Sequence, residues 1–217
     1  MIKLKEILME RISSIAYHFT NISAFENIMR SDKFKLGYSP LPDPVLEPYA
    51  VNPKKYPYFM SVARTRVQGY SRISRDDYRK PLNVRFQLDG NKLSSNYKGK
   101  PFDYFAALQG NVIKKNLYDE FEDRIYHSDR YISKAKSYIT RVDVTLDGED
   151  MSVPGVRKMF YNAVKDTVSA GIAIHLYKSE KDFTAQLRGI EVKDMEQLDK
   201  LSSNWKIGDT VIGKETD

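Results

Sequence analysis

Residues 138–146, Tyr-Ile-Thr-Arg-Val-Asp-Val-Thr-Leu, alternate apolar and polar side chains. A period of two is the mark of a strand, because successive side chains leave a strand on opposite faces. Asn83-Val-Arg-Phe-Gln-Leu88 repeats the pattern, and Asp89-Gly90 after it is a turn signal. Ile15–Thr20, Phe34–Leu36, Tyr58–Val62 and the buried-looking run Ile172–Tyr177 read as further strands. Helical spacing is rarer. Leu4, Leu8, Ile12 and Ile15 predict an amphipathic helix over 2–15. Ser23 and Glu26 have capping-box spacing ahead of a helix over 24–31, with Phe25, Ile28 and Met29 as its apolar stripe. Pro154 opens and Gly171 closes a helix whose apolar residues follow the 3.6 period, and a short helix is expected over 193–201. Many strands, few helices and no regular strand–helix–strand alternation predict an α+β fold. Nothing resembling a linker divides the chain, so one domain over 1–217 is expected.

Five of the nine prolines fall within 37–57: Pro40, Pro42, Pro44, Pro48 and Pro53. Proline fixes φ and removes an amide donor, so this stretch reads as a long loop. Loops of that length inside a domain usually have a functional role. Residues 111–121 are ambiguous between helix and loop.

Composition narrows the chemistry. The 217 residues are 41% hydrophobic, with 15 Tyr and 10 Phe, enough for a sizeable core and against a disordered chain. There is no cysteine, which excludes disulfides, zinc thiolates and a thiol nucleophile and fits a reducing cytoplasm. The first residues hold no continuous apolar run and no stretch approaches a membrane span, so a soluble, cytoplasmic protein is expected. The net charge of +6 permits contact with a polyanion without requiring one.

Familiar cofactor signatures are missing. Gly208–Lys214 has phosphate-loop spacing, but Glu215 stands where a magnesium-binding hydroxyl is needed. His18, His127 and His175 are too far apart for a local metal site, and no metal is expected. His175 reads as a core or edge residue of a strand, and His127 as a surface residue.

Three short segments remain: Tyr17-His18-Phe19-Thr20, Tyr58-Phe-Met-Ser61-Val-Ala-Arg64-Thr-Arg66, and Glu120-Phe121-Glu122-Asp123-Arg124. Taken singly, His18 reads as a hydrogen-bonded core residue and the two arginines as solvated cations. Glu120–Arg124 reads as an exposed helix with an i,i+4 pair. On a strand, however, Glu120 and Glu122 would share a face, where like charges repel unless something needs them.

In order and spacing the three segments resemble the ADP-ribosyltransferase-like family, in particular phage and bacterial toxin-type members and the DNA-modifying DarT enzymes. The resemblance spans about residues 14–190, leaving 1–15 as an N-terminal helix and 191–217 as an extension. It implies two small antiparallel or mixed sheets around a cleft with flanking helices, and NAD as substrate. By the family pattern Glu122 would hydrogen-bond a ribose hydroxyl and stabilise an oxocarbenium-like state, with Glu120 facing the acceptor. His18 would hold a ribose, Thr20 would sit beside the carboxamide, and Arg64 would grip the pyrophosphate. Ser61 and Tyr70 would shape the pocket and stack on nicotinamide. The middle motif is Ser-Val-Ala-Arg rather than the Ser-Thr-Ser of the arginine-modifying branch. The acceptor, protein side chain or nucleic acid, is therefore open. Two rival expectations are a non-catalytic nucleic-acid binder using Tyr70–Arg75 and Tyr78–Lys80, and a catalytically silent inhibitor or virion protein on the same scaffold. Glu122 argues against the related RNA 2′-phosphotransferases, which dispense with that glutamate.

Overall fold

The computed structural model describes residues 12–38, 55–66, 82–102, 122–147, 153–204, 206–207 and 210–211. Tyr70, Glu120, Phe121, most of the proline-rich stretch and the basic–aromatic run at 70–80 lie outside them.

The class is α+β. In chain order the elements are β1 (Ile15–Thr20), α1 (Ile22–Ser31), β2 (Lys33–Lys35), β3 (Gly37–Tyr38), β4 (Tyr58–Ala63) and β5 (Val84–Asp89). Next come α2 (Gly90–Asn96), β6 (Lys98–Phe102), β7 (Glu122–His127), β8 (Tyr131–Ser133), a 3₁₀ turn (Ala135–Tyr138) and β9 (Ile139–Thr145). The chain continues as α3 (Pro154–Ser169), β10 (Ala173–Tyr177), α4 (Glu180–Ala185), β11 (Ile190–Val192), α5 (Met195–Asn204), β12 (Lys206–Ile207) and β13 (Thr210–Val211).

Nine strands pair into one large mixed sheet, in the order β11-β10-β9-β5-β1-β4-β7-β6 with β3 added to β4, while β2 pairs with β8 and β12 with β13 in two small sheets. The register nonetheless divides the large sheet. β1 pairs with β5 along its whole length, Ile15 opposite Asp89 through Thr20 opposite Val84. β4 pairs equally fully with β7, Tyr58 opposite His127 through Ala63 opposite Glu122. Between β1 and β4 one position pairs, Tyr17 opposite Ala63. Two well-formed ladders therefore meet at a seam that backbone hydrogen bonds barely close.

Alternation sets the two faces. Ala16, Phe86, Val142, Val144, Ile174 and Leu176 point to one side and are buried there. Phe25 of α1 meets Phe86 edge-on at 5.7 Å, and Phe160, Ala163 and Val164 of α3 are buried in the same core. Burying one such ring contributes about 2 kcal/mol, which is what holds the helices to the sheet. α3 carries the chain from β9 to the parallel strand β10, and Gly171 at φ +71° ends that crossover.

Four local expectations are corrected. Residues 12–14 are not helical and Ile15 already belongs to β1; residues 1–11 lie outside the description. The Ser13 amide donates to Asp123, the Ser14 carbonyl accepts from Gly90, and a Cβ on Gly90 would lie 1.7 Å from the Ser13 carbonyl. These tertiary contacts override the helical spacing of Ile12 and Ile15. The cap of α1 is Asn21, whose side chain accepts from the Ala24 amide, rather than Ser23. Asp89-Gly90 opens α2 instead of making a turn, because Asp89 caps the Lys92 amide. Glu122 to Arg124 belong to a strand, not to an exposed helix.

Candidate active site

Ser61, Ala63, Glu122 and Arg124 point to the same face beside the seam, as cross-strand partners and next-but-one neighbours do. The Ser61 hydroxyl donates to Glu122 Oε1 at 2.6 Å, and Arg124 Nε donates to the same oxygen at 2.9 Å. Arg124 lies over the Phe59 ring at 4.3 Å, so its guanidinium is held from below as well. Glu122 is buried, yet Oε2 takes no hydrogen bond among the described residues. Among the described residues one carboxylate oxygen is thus doubly anchored.

His18 reaches the seam from the other side. Its ring sits among core aromatics, parallel to Phe86 at 6.4 Å and edge-on to Phe34 at 6.0 Å. Nδ1 lies 3.1 Å from the Ser61 carbonyl. A carbonyl only accepts, so Nδ1 carries the proton and Nε2 is an acceptor. Burial pushes the His18 pKa down, only partly opposed by the hydrogen bond to Ser61. The ring is therefore neutral at neutral pH. Thr20, two residues on, is buried on the same face as His18. The register sets Tyr17 and Phe19, rather than His18 and Thr20, on the face of Ser61 and Glu122.

Arg64 closes the third side. Its Nε donates to Asp123 Oδ1 at 2.8 Å and an Nη to the Glu122 carbonyl at 3.1 Å, while the Ser13 amide donates to Asp123 Oδ2 at 2.9 Å. The Asp123 side chain is 1% exposed and that of Arg64 is 30% exposed. Arg64 thus neutralises a buried carboxylate and fixes the backbone of Glu122 while staying reachable from solvent.

Of the residues singled out in the sequence, His18, Ser61, Arg64 and Glu122 converge within one hydrogen-bonded chain. His18 and Arg64 enter it through backbone carbonyls, from the side opposite the carboxylate. Thr20 is nearby, and Tyr70 and Glu120 lie outside the described residues. Two participants were missed: Asp123, the anchor of Arg64, and Arg124, the cation on Glu122. Both stood in the acidic cluster, but only the strand register shows that they face opposite ways. His175 lies between β9 and β11, inside the sheet rather than at an edge, with Nδ1 buried and unpartnered. His127 packs on Tyr97 at 5.1 Å and lines a cavity of about 360 Å³ with Tyr56, Lys98 and Tyr126. That cavity sits at the far end of β7 from Glu122, and none of the singled-out site residues lines it. Among the described residues no group of His, Asp and Glu could hold a metal ion.

The structural neighbours are DarT, an ADP-ribosyltransferase. Thermus sp. 2.9 DarT in complex with ADP-ribosylated ssDNA is similar at 11% identity, over 70% of this chain and 92% of that one, with a TM-score of 0.39. The same enzyme in complex with NAD+ is similar at 10% identity, over 68% and 89%, with a TM-score of 0.39. No family model matches the chain, and no curated protein matches it.

Proposed function

We propose that this protein is an NAD-dependent ADP-ribosyltransferase acting in the cytoplasm, transferring ADP-ribose to a protein side chain or a nucleic acid. The observation that carries the reading is Glu122: a buried carboxylate with one oxygen clamped by Ser61 and Arg124 and the other without a hydrogen bond among the described residues.

Glu122, with Ser61 and Arg124 behind it, fits the ribose of a dinucleotide substrate. NAD supplies a ribose C1′ whose leaving group is nicotinamide. Oε2 of Glu122 accepts from a ribose hydroxyl and places negative charge beside the ring oxygen and C1′, where positive charge develops as the glycosidic bond breaks. The bonding electrons leave with nicotinamide. The acceptor's nucleophile then bonds C1′ and its proton passes to a base or to solvent. Ser61 and Arg124 keep the carboxylate in place, so little reorganisation is needed in the transition state. Neutral His18 lies on the opposite face of β1 and acts through its bond to the Ser61 carbonyl, steadying the strand that carries the serine. Arg64 holds Asp123 and the Glu122 backbone, and its exposed edge is a place for a phosphate oxygen. Tyr70 stacking on nicotinamide and Glu120 toward the acceptor complete the proposed site, whereas Thr20 lies with His18 on the other face of β1.

Purified protein incubated with labelled NAD and lysate is expected to release nicotinamide and to label a protein or nucleic acid fraction. Glu122→Gln keeps the shape and removes the charge. It is expected to lower turnover by about 10²- to 10³-fold. Parental turnover in that variant would show that the carboxylate has another role.

A further inference from the structure

Backbone pairing across the seam is limited to Tyr17 and Ala63, so side chains must fix how the two ladders face each other. Near Glu122 this is done by His18 on the Ser61 carbonyl and by Asp123 on the Ser13 amide. A third link comes from deeper in the sheet. Arg85 of β5 is 0% exposed and its Asp143 partner on β9 is 1% exposed. Arg85 Nε and Nη2 donate to Asp143 Oδ2 at 3.0 and 2.7 Å, and Nη2 also donates to the Phe183 carbonyl at 3.1 Å. Nη1 crosses the seam and donates to the Arg66 carbonyl at 2.8 Å. The Phe183 ring closes over the guanidinium at 4.6 Å. Asp143 in turn accepts from Arg141 at 2.7 Å, from Tyr177 at 3.1 Å and from Gln186 at 3.1 Å, and Arg66 donates to Gln186 at 3.0 Å.

A buried ion pair is a poor way to gain stability, since apolar residues of similar volume serve as well or better. What such a pair can do is hold a particular geometry. The planar fork holds an anion on one ladder and a carbonyl on the other in a fixed geometry, which an aliphatic side chain cannot do and a freely rotating ammonium does not pre-organise.

We propose that Arg85, oriented by Asp143, is a positioning residue for the active site. By holding the Arg66 carbonyl it fixes the 64–66 segment, and hence the placement of Arg64 on Asp123 and on the Glu122 backbone. The catalytic consequence rests on the transferase function proposed above; the structural one does not.

The test compares the full chain with Arg85→Lys and with the double variant Arg85→Met/Asp143→Leu, using amide hydrogen exchange and steady-state nicotinamide release. The double variant replaces the ion pair by apolar volume and is expected to fold. The lysine variant keeps a cation opposite Asp143 if the double variant does not. In both, exchange over 61–66 is expected to rise about tenfold or more while α1 and α3 stay protected. The kcat is expected to fall about 10²-fold with KM for NAD held within about threefold, because a site displaced by an ångström loses rate more than affinity. Unchanged exchange over 61–66 in a folded variant overturns the positioning role. Raised exchange with parental kcat overturns its catalytic half. If the parent protein releases no nicotinamide, the transferase reading fails, and the exchange measurement still decides whether Arg85 fixes the segment.

Discussion

Ser61 and Glu122 are diagonal neighbours across the β4–β7 ladder, and the hydroxyl of the first donates to Oε1 of the second at 2.6 Å. The serine thereby chooses which carboxylate oxygen is occupied and which is presented. Ser61→Ala removes that choice without adding bulk. Arg124 still holds Oε1, so the variant is expected to fold, with stability lower by about 1–3 kcal/mol for the lost charge-assisted bond. Nicotinamide release should fall with it, by less than in Glu122→Gln. Chemical denaturation read alongside the turnover assay checks both, and a variant as active as the parent would show that Ser61 does not orient the glutamate.

Arg64 and Asp123 form a pair that is costly to break from one side. Arg64→Met strands a carboxylate that is 1% exposed. A loss of about 3 kcal/mol is expected, against a much smaller loss in Arg64→Met/Asp123→Asn, where the charge leaves with its partner. A double-mutant cycle from urea melts measures the difference; equal losses in the two variants would mean that the pair is not coupled.

Acid should destabilise the fold through two desolvated imidazoles, His18 and His175. Burial holds the pKa of His18 below its ordinary 6.5, and burial together with the nearby Arg141 does the same for His175. Above 6.5 both rings are neutral in folded and unfolded chains and contribute nothing to the pH dependence. As pH falls through 6.5, the unfolded chain binds protons that the folded one refuses, so stability drops, levelling off below the folded pKa values. Urea melts from neutral pH to about pH 5 should show that slope, and His18→Gln should flatten part of it. A slope unchanged in the variant would assign it elsewhere.

Alkali makes a matching prediction. Burial pushes Tyr97, Tyr126 and Tyr177 up to about 12, reinforced in Tyr97 by its bond to Tyr138 and in Tyr177 by the Asp143 charge. An ultraviolet titration should therefore show at least three of the 15 tyrosines still protonated when exposed phenols have ionised. Removing Asp143 should lower the last step for Tyr177.

Strands β1, β4, β5, β9 and β10 and helices α1 and α3 were legible because each announces itself within a dozen residues, by alternation, by apolar stripe or by the Pro154-to-Gly171 punctuation. Errors fell where a distant group decides a local conformation. Ile12 and Ile15 have helical spacing, yet Ser13 and Ser14 are claimed by Asp123 and Gly90. Asp89-Gly90 has a turn composition, but a side chain that caps Lys92 makes it a helix start. His18, Ser61, Arg64 and Glu122, singled out through the family resemblance, share one hydrogen-bonded chain. Asp123 and Arg124 were not singled out, because their roles depend on the face of β7 to which each points.

By itself the chain determined its α+β character and the lack of any thiol chemistry, since periodicity and composition are properties of neighbours in sequence. Only the tertiary structure decided that two ladders share a single paired position, that one oxygen of Glu122 is held and the other presented, and that a buried guanidinium at 85 spans the gap. The reason is physical: hydrogen bonds between strands depend on strand register and side-chain facing, and neither is written in any short stretch of chain.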